Sequence, residues 1–467
     1  MRLTKIICTL GPTSSTFEQI RALAETGMNI ARLNFSHGEH ADQLAKIETL
    51  RKIQDDGYPV AIMMDTKGPE IRTGDVKVPI EIAKGQEVVF VTDTNISSPH
   101  PVIYVDNMLF AEDVKNARGI LIDNGEMRFD LISIDKDGSV HAKAANAGRI
   151  GSRRHVNLPG ADLQMASITD KDWHDLAFGV EQKLDFVALS FVRTGDVVRE
   201  VKKFLRENNS AMRVIAKIET EKGVQNLDDI IEASDGIMVA RGDLGAEIPF
   251  ELLPAIQDAM VRKCREAGKP VIVATQMLES MIQFPMPTRA EVTDVAHAAT
   301  TRADLTMLSA ETANGKNPVA AVDAMARILA ETESHLPAVL PTETDRVPDE
   351  NVARAEAATV MALSMHLPAI IVLTRSGRTA ECVSACRPVI PIIALTDSPV
   401  VQRQMQLLYG VLPLHMPFGT DPEETAALAL RTVREKGLLK SGDHIVLLSD
   451  SKTADGPVST VHLRSLP

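Results

Sequence analysis

Short apolar runs recur along this chain of 467 residues and alternate with longer amphipathic segments. The runs are rich in Val, Ile, Leu and Met, as expected of parallel strands that are buried on both faces. We predict eight strands in the first two thirds of the chain, at Thr4–Leu10, Met28–Asn34, Val60–Asp65, Asp185–Ser190, Arg213–Glu219, Gly236–Arg241, Val271–Thr275 and Asp304–Ser309. Eight such strands with intervening helices predict an α/β fold of the closed (β/α)8 type, a TIM barrel.

The alternation is interrupted between Gly74 and about Pro159. There the helical periodicity gives way to short alternating segments separated by Asp-Gly and Asn-Gly turns, a pattern typical of hairpins. We predict strands at Glu87–Thr92, Gly119–Asp123, Met127–Ile134 and Ser139–Asn146, in a small β barrel inserted after the third strand. At the carboxyl ends of the barrel strands this insertion would act as a lid that excludes water, with a passive decoration as the alternative.

A second change comes at the polar, Pro-containing segment His335–Glu350, which we interpret as a linker. Beyond it, strands are predicted at Ala369–Leu373, Ile390–Leu395, Val411–His415 and Asp443–Leu448. Their alternation with helical segments predicts a three-layer α/β domain. We therefore place the barrel domain at residues 1–73 and 158–336, the lid domain at 74–157 and the C-terminal domain at 337–467.

Polar residues follow nearly every barrel strand at the point where it ends. In strand order they are Arg32, Asn34 and Ser36; Asp65 and Thr66; Ser190 and Arg193; Lys217 and Glu219; Asp243; Thr275 and Gln276; Ser309 and Glu311. Because the carboxyl ends of the strands form the active-site face of such barrels, we expect these side chains to converge.

The most informative of these residues are Lys217 and Glu219, because alternation along the fifth strand turns both of them inward. A buried ammonium and a buried carboxylate are unfavourable unless each finds a partner or a metal. Asp243 supplies a second carboxylate after the next strand, and two carboxylates suit a hard divalent cation such as Mg²⁺ or Mn²⁺. A structural salt bridge is the alternative explanation for a single Lys-x-Glu pair.

Composition is that of a globular, multidomain enzyme, with 44% hydrophobic and 24% charged residues. A net charge of −13 without a long basic run argues against nucleic acid as a partner. No apolar run approaches the ~18–20 residues that span a bilayer, so we expect no membrane partner and a cytoplasmic protein. The spacing of Cys8, Cys264, Cys382 and Cys386 fits neither a zinc site nor a disulfide framework, and we expect reduced thiols.

Seven stretches, in order along the chain, resemble pyruvate kinases, and the resemblance extends over essentially the whole length. They are Lys5–Pro12, Met28–Gly38, Asp65–Gly74, Ala216–Glu219, Val239–Pro249, Lys269–Met281 and Pro287–Ala296. The resemblance implies the last step of glycolysis, in which phosphate passes from phosphoenolpyruvate to ADP. The products are ATP and a metal-stabilised enolate that is then protonated to pyruvate.

The resemblance also implies roles for individual residues. The catalytic residues would be Lys217, Arg32, Arg72 and Thr275, with the first three neutralising the phosphoryl group during transfer. The substrate would be bound by Arg32, Lys217, Gly242, Asp243 and Thr275, and ADP or ATP by Asn34, His37 and Arg72. Mg²⁺ or Mn²⁺ would be held by Glu219 and Asp243. Proton delivery would run through Thr275 and a water network involving Ser309 and Glu311.

A potassium ion is implied as a second cofactor. The matching ligands are Asn34, Ser36, Asp65 and Thr66, all hard oxygen donors. The deciding position is Glu70, because pyruvate kinases that dispense with K⁺ resemble one another in carrying a lysine there. We therefore predict activation by K⁺.

In the C-terminal domain, one strand-to-helix turn is similar to the segment that binds a phosphorylated effector in pyruvate kinases. It contains Thr374, Ser376, Gly377, Arg378 and Thr379, whose amides, hydroxyls and guanidinium suit a phosphate. A plain Ser/Thr helix cap is the alternative. A later loop, Ser451–Gly456, offers only Lys452 as a cation, so the effector stays open. The family also implies a homotetramer, with Arg289 in a segment that contributes to a subunit contact, although a dimer is possible.

Some positions depart from the family pattern: His155 and Ala310 stand where glycine is usual. Thr301-Arg302 replaces a usual Asp-Gly pair, and we assign it to a surface turn. None of these is a predicted metal or phosphate ligand.

Two other functions are considered. A metal-dependent aldolase that makes a pyruvate enolate would have little use for Lys217 together with Arg32 and Arg72, or for the inserted lid. A non-catalytic sensor of phosphorylated metabolites would be expected to lose Lys217, Asp243 or Thr275, and all three are present.

Overall fold

The computed structural model describes residues 2–123, 125–161, 163–339, 349–453 and 456–467. The first part of the chain alternates strands and helices: β1 (Lys5–Thr9), α1 (Phe17–Thr26), β2 (Ile30–Asn34), α2 (His40–Asp55) and β3 (Ala61–Asp65). Helix α1 begins at Thr16, whose hydroxyl accepts from the amide of Gln19 while the Gln19 side chain accepts from the amide of Thr16. Reciprocal caps of this kind satisfy amides that have no partner within the helix.

The segment after β3 forms the inserted β domain. Its elements are β4 (Ile71–Arg72), β5 (Ile80–Ile82), β6 (Glu87–Val91), β7 (Val102–Tyr104), α3 (Phe110–Asp113), a 3-10 turn (Val114–Asn116), β8 (Ile120–Ile122), β9 (Met127–Ile134), β10 (Val140–Ala144), β11 (Gly148–Ile150) and β12 (His155–Asn157). Seven strands form a curled sheet in the order β4-β12-β8-β9-β10-β6-β7, and β5 pairs with β11. Phe90, Phe110 and Phe129 pack together in a core that belongs to this domain. The predicted small β domain is confirmed, with one short helix that the pattern did not indicate.

The chain then returns to the barrel. The elements are α4 (Asp170–Glu181), β13 (Phe186–Leu189), α5 (Gly195–Glu207), β14 (Arg213–Ile218), α6 (Glu221–Gln225), α7 (Leu227–Ala233), β15 (Gly236–Ala240), α8 (Arg241–Glu247), α9 (Leu253–Glu266), β16 (Val271–Ala274), α10 (Arg289–Thr300), β17 (Leu305–Leu308), α11 (Ala310–Ala313) and α12 (Pro318–Ser334), with 3-10 turns at Phe250–Leu252 and Glu279–Ile282. All eight predicted barrel strands are present, each trimmed by one or two residues. They close parallel in the order β1-β17-β16-β15-β14-β13-β3-β2.

Two layers of apolar side chains hold the barrel. Inward-facing residues such as Met63, Phe186 and Ile215 fill the interior, whereas Val214 and Ala216 pack outward against the helices. Alternation along β14 therefore points Lys217 to the inside, as predicted.

The C-terminal domain contains α13 (Glu350–Ser364), β18 (Ile370–Leu373), α14 (Arg378–Ala385), β19 (Ile392–Thr396), α15 (Pro399–Gln404), a 3-10 turn (Met405–Leu407), β20 (Val411–His415), α16 (Pro422–Glu435), β21 (His444–Thr453) and β22 (Gly456–Ser465). The sheet order is β20-β19-β18-β21-β22, with β22 antiparallel to β21. Helices α13 and α14 cover one face and α16 the other, so the three-layer prediction is confirmed. The strand β22 was not predicted.

Buried ion pairs join the C-terminal domain to the amino-terminal ends of the barrel strands. Arg387 contacts both carboxylate oxygens of Asp304, at 2.7 and 2.5 Å. Arg403 Nε lies 2.9 Å from Asp185 Oδ1. Arg302 donates to the backbone oxygen of Arg387 at 3.0 Å and is only 5% exposed, so assigning Thr301-Arg302 to a surface turn was wrong.

Three further predictions concern the linker, the state of the cysteines and the absence of a membrane-spanning segment. Much of the predicted linker, residues 340–348, lies outside the described residues, as does the side chain of Lys452. All four cysteines are free, as predicted, and the thiol of Cys386 donates to the backbone oxygen of Cys382. Among the helices of the described ranges, none is both long and apolar enough to cross a bilayer.

Candidate active site

Lys217 is the centre of a buried charged cluster at the carboxyl ends of β3, β13 and β14. Its Nζ lies 2.9 Å from Asp65 Oδ1, 3.0 Å from Glu219 Oε1 and 2.7 Å from the hydroxyl of Ser190. Burial alone would lower the pKa of Lys217, but the two carboxylates raise it well above its usual range. Lys217 is therefore a permanent ammonium, suited to stabilising negative charge rather than to acting as a base.

Arg32 at the end of β2 joins the same cluster from the other side of Asp65. Its Nε lies 2.6 Å from Asp65 Oδ2, and its Nη1 donates to the hydroxyl of Thr9 at 3.0 Å. Burial raises the pKa of Asp65, but Arg32 and Lys217 outweigh burial and hold that pKa below its usual value. Asp65 thus fixes two cations side by side at the barrel mouth.

Glu219 differs from Asp65 in lying beside Lys217 alone, a cation that it shares with Asp65, whereas Asp65 also pairs with Arg32. Its Oε2 accepts from the amide of Phe191 at 2.6 Å, whereas Oε1 is buried and makes no hydrogen bond, despite lying 3.0 Å from Lys217 Nζ. Burial raises the pKa of Glu219, Lys217 opposes the rise, and the charge of Asp243 adds to it. Lys217 and Glu219 therefore do not form a self-sufficient salt bridge, because the ammonium is matched mainly by Asp65.

The carboxylate of Asp243 lies in the first turn of α8, the helix that follows β15. It is about one third exposed, and its Oδ1 lies 3.8 Å from Nδ1 of His155 in the inserted domain. Its charge acts on both Lys217 and Glu219. Within the described ranges, no group of three or more His, Cys, Asp or Glu side chains is placed to hold a metal, so a cation here would rest on these two carboxylates and on substrate or water.

Thr275 ends β16 in a strained conformation. Its φ of 67° places a β-branched residue in the left-handed region, which such residues rarely adopt. The Thr275 hydroxyl accepts from the amide of Gly242 at 2.8 Å and donates to the oxygen of Ala274 at 2.6 Å. Arg241 holds the turn by donating to the backbone oxygen of Thr275 at 2.5 Å. The predicted carboxylate cradle of Gly242 and Thr275 is thus brought together, with the Gly242 amide already paired.

Ser309 and Glu311 follow β17 and are placed differently from each other. Glu311 accepts through one carboxylate oxygen from the amide of Leu278 at 3.1 Å and through the other from the amide of Ser309 at 2.7 Å. The Ser309 hydroxyl is buried and has no hydrogen-bond partner among the described residues. Glu311 therefore ties two strand ends together, and Ser309 is the member with spare hydrogen-bonding capacity.

Arg72 lies on β4, the first strand of the inserted domain, and pairs with Glu70 through Nε and Nη2, each at 2.8 Å. Its Nη1 donates to the oxygen of Arg153 at 2.9 Å. Arg72 does not contact Lys217 or Arg32 in this structure, but it lines a cavity of about 400 Å³ together with Asp243 and His155. Of the other residues predicted to bind nucleotide, His37 is exposed and Asn34 is half-buried.

The residues predicted to bind potassium lie at the ends of β2 and β3. Asn34 Oδ1 accepts from the amide of Ser36 at 3.0 Å. The backbone oxygen of Thr66 accepts from the Ser190 hydroxyl at 2.7 Å. Asp65 is held by Arg32 and Lys217, so its carboxylate is already paired with two cations.

Three contacts at the site were not assigned from the sequence. Ser190 was noted only as a polar strand end, yet its hydroxyl touches Lys217, Asp65 and Thr66. Thr9 is likewise a polar residue at the carboxyl end of β1, but it was not among the predicted site residues. The Phe191 amide that holds Glu219 leaves no trace in the side-chain pattern, although Phe191 has a positive φ of 53°.

The predicted effector segment lines a separate cavity of about 420 Å³ in the C-terminal domain. Its walls include Thr374, Arg375, Ser376, Arg378, Thr379 and Phe418. Gly377 caps α14 with φ 86°, and its amide donates to the hydroxyl of Thr374 at 3.0 Å. Arg378 pairs with Asp349 at 3.3 Å, so the cavity has a cationic wall, whereas the helix is capped by Gly377, which makes no side-chain cap hydrogen bond, and not by a Ser or Thr.

The fold agrees with comparisons to known proteins. A family model described as "Pyruvate kinase, barrel domain" matches residues 1–322, and "Pyruvate kinase, alpha/beta domain" matches residues 352–463. Plastidial pyruvate kinase 2 of Arabidopsis thaliana is 43% identical over 96% of this chain and 78% of its own length. Pyruvate kinase of Bacillus licheniformis is 39% identical over 99% of this chain and 80% of its own.

A solved structure supports the same assignment. The crystal structure of a pyruvate kinase from Cryptosporidium parvum superposes with a TM-score of 0.93 at 37% identity, covering 100% of this chain and 96% of that one. Family models, relatives and structure thus agree over the barrel, the inserted domain and the C-terminal domain. The chain therefore belongs to the pyruvate kinase family of phosphotransferase enzymes.

Proposed function

We propose that the protein transfers the phosphoryl group of phosphoenolpyruvate to ADP, giving pyruvate and ATP, the last step of glycolysis. The observation that carries this proposal is the buried ammonium of Lys217 beside the guanidinium of Arg32, both fixed by Asp65. Phosphoryl transfer depends on positioning and on cationic stabilisation more than on covalent chemistry. Two preorganised cations at a water-poor barrel mouth supply that stabilisation.

Glu219 and Asp243 fit a divalent cation, because Glu219 Oε1 is buried without a hydrogen bond and carries a charge that burial disfavours. We propose that these two carboxylates hold Mg²⁺ or Mn²⁺. When bound, such an ion stabilises negative charge that develops on substrate oxygens.

The remaining strand-end residues bind substrate and move a proton. The amide of Gly242 and the hydroxyl of Thr275 would receive the substrate carboxylate, with their mutual hydrogen bond giving way to it. Thr275 and the unpartnered hydroxyl of Ser309 would order the water that delivers a proton to the methylene carbon. Glu311 would support this network by holding the amides of Ser309 and Leu278.

The inserted domain would close over the nucleotide. The cavity shared by Arg72, Asp243 and His155 lies between this domain and the barrel. Closure would release Arg72 from Glu70 toward phosphate and exclude water from the transfer.

The proposal also includes a potassium site, an effector site and an oligomeric state. Asn34, Ser36, Asp65 and Thr66 would bind K⁺, with Glu70 keeping the site anionic. The cavity beside Arg378 would take a phosphorylated effector, and the assembly would be a homotetramer, with a dimer as the alternative.

The test is a coupled assay of pyruvate formation from phosphoenolpyruvate and ADP with Mg²⁺ and K⁺. Lys217→Met should lower kcat by at least about 100-fold, because it removes a preorganised charge from the transition state. Lys203→Met, at an exposed lysine of α5, is the matched control and should leave the rate unchanged. Equal rates in the native protein and the Lys217 variant would remove the proposal.

A non-catalytic sensor is distinguished by the native protein itself. If no pyruvate forms with K⁺ and a panel of sugar phosphates, while phosphoenolpyruvate still binds by calorimetry, the sensor replaces the enzyme.

A further inference from the structure

A second cavity, of about 200 Å³, lies where the inserted domain joins the barrel. Both connections between the two domains line it, one through Pro69 and Ile71 and the other through residues 155–158, 160, 161 and 163. The barrel side is formed by Phe191, Arg193, residues 220–222, Gln225 and Glu247, and the inserted domain adds Arg118. His155 lies on the walls of both this cavity and the one beside Arg72, and no other described residue does so.

Asn157, at the end of β12, lines this cavity with a side-chain amide that is only partly hydrogen-bonded. The side chain is only 4% exposed. Its Nδ2 donates to Glu247 Oε1 at 3.3 Å, whereas its Oδ1 is buried and finds no donor among the described residues. A buried amide oxygen without a donor is unfavourable, and native structures rarely keep one without a water or ligand.

Glu247 is the second acceptor on the cavity wall. Among the described residues, the side-chain amide of Asn157 is the hydrogen-bond donor to its carboxyl, at 3.3 Å. Burial raises the pKa of Glu247 to about 7, with the nearby charges of Glu221 and Asp243 adding to the rise. At neutral pH this carboxyl therefore both accepts and donates hydrogen bonds.

Both arginines of the cavity are engaged in hydrogen bonds or ion pairs, and those of Arg118 join the inserted domain to the barrel. Arg118 lies 2.7 Å from Glu221 Oε2 and donates to the backbone oxygen of Glu247 at 3.0 Å. Arg193 donates to the backbone oxygen of Met165 at 2.8 Å and to the Ser167 hydroxyl at 2.9 Å. Their positive charge nevertheless opposes a cationic ligand, while Glu221, Glu247 and the Asn157 oxygen oppose an anionic one.

We propose that this interdomain cavity is a second ligand site, which binds a small uncharged molecule carrying a primary amide. The amide N–H groups would reach Asn157 Oδ1 and the Glu247 carboxyl, and an apolar body would pack on Ile71, Leu158 and Phe191. A cavity of about 150 Å³ holds benzene, so one ring with an amide suits the volume here. Because the ligand would contact both connections and the barrel, its occupancy restrains the inserted domain.

The probe is benzamide, compared with benzoate and benzylamine by titration calorimetry on the full chain. The three share one ring and differ in charge and donors. Benzamide should bind with a Kd on the order of 1 mM, and the two charged analogues at least about tenfold more weakly. Saturating phosphoenolpyruvate should not displace benzamide, since the site is separate from the one proposed for phosphoryl transfer.

Asn157→Leu should weaken benzamide binding about tenfold, because it removes the acceptor and keeps the volume. The matched control is Asn95→Leu, at an exposed asparagine of the same domain, which should leave the Kd unchanged. A hydrogen-exchange experiment on the native protein covers the case in which Asn157→Leu does not fold. In the native protein, benzamide should slow amide hydrogen exchange at residues 156–161 more than in strands β18–β20 of the C-terminal domain.

The proposal is overturned if benzamide shows no binding at 20-fold the expected Kd, or if the three probes bind equally. It is also overturned if benzamide is displaced by phosphoenolpyruvate or if exchange at residues 156–161 does not change.

Discussion

Lys217 Nζ and Asp65 Oδ1 lie 2.9 Å apart although β14 and β3 are not neighbours in the barrel wall. The strand between them is β13, and its terminal Ser190 donates to Asp65 at 3.3 Å while its hydroxyl also contacts Lys217. The pair is therefore positioned by three strand ends at once, which leaves little freedom for the ammonium.

Asp65→Asn should damage both stability and activity. Removing one partner from a buried ion pair leaves Lys217 and Arg32 without their shared carboxylate, a loss of about 3–5 kcal/mol in the free energy of unfolding. The kcat should fall at least about 100-fold because the two cations lose their positions. Urea unfolding and the coupled assay measure the two effects. Asp130→Asn, at an exposed aspartate paired with Arg128, should change neither.

The hydroxyl of Thr275 can be tested with two substitutions. Thr275→Ser keeps both hydrogen bonds and loses the β-branch that disfavours its φ of 67°, so stability and activity should be retained. Thr275→Val keeps the shape but leaves the Gly242 amide without its acceptor, which should lower the free energy of unfolding by about 1–3 kcal/mol. Its kcat should fall as well. Equal activity in the two variants would show that the hydroxyl takes no part.

Activation of the enzyme by K⁺ should depend on the charge of the residue at position 70. The native enzyme should be much slower when K⁺ is replaced by tetramethylammonium at equal ionic strength. Glu70→Lys should remove that difference, because the lysine ammonium takes the place of the ion. Glu81→Lys, at an exposed glutamate of the inserted domain, should leave K⁺ dependence intact. Turnover that is equally fast in both salts would contradict the prediction.

Glu247 should make stability depend on pH. Its pKa is raised to about 7 in the folded protein, so between about pH 4.5 and 7 the folded state holds a proton that the unfolded state has lost. The free energy of unfolding should therefore decrease as pH rises through this window, by at most about 1.4 kcal/mol per pH unit from this group. Glu247→Gln should flatten the slope, whereas Glu251→Gln, at an exposed residue, should not. Urea titrations at several pH values provide the measurement.

The sequence predicted the barrel well because each strand is a compact run of apolar residues that must be buried. It also predicted that Lys217 and Glu219 point inward, since alternation is a local property. The strand β22 was missed because Gly456–Ser465 mixes Ser, Thr, His and Arg into its alternation and is recognisable mainly through its pairing with β21.

The features that were not predicted depend on contacts between residues that are far apart in the sequence. Which carboxylate matches Lys217 depends on which strand ends meet in space, and the sequence pointed to Glu219 where the structure gives the stronger role to Asp65. The burial of Arg302 likewise depends on the C-terminal domain, whose backbone at Arg387 receives its hydrogen bond.

The interdomain pairs Arg403–Asp185 and Arg387–Asp304 have a mechanical consequence. Asp185 directly precedes β13 and Asp304 directly precedes β17, and Ser190 and Ser309 directly follow the other ends of those strands. Each of these two strands transmits movement along its axis, because a strand that is hydrogen-bonded on both sides in a closed barrel does not lengthen. A shift of the C-terminal domain along the barrel axis must therefore break one of these ion pairs or move Ser190 or Ser309 at the opposite end of the barrel.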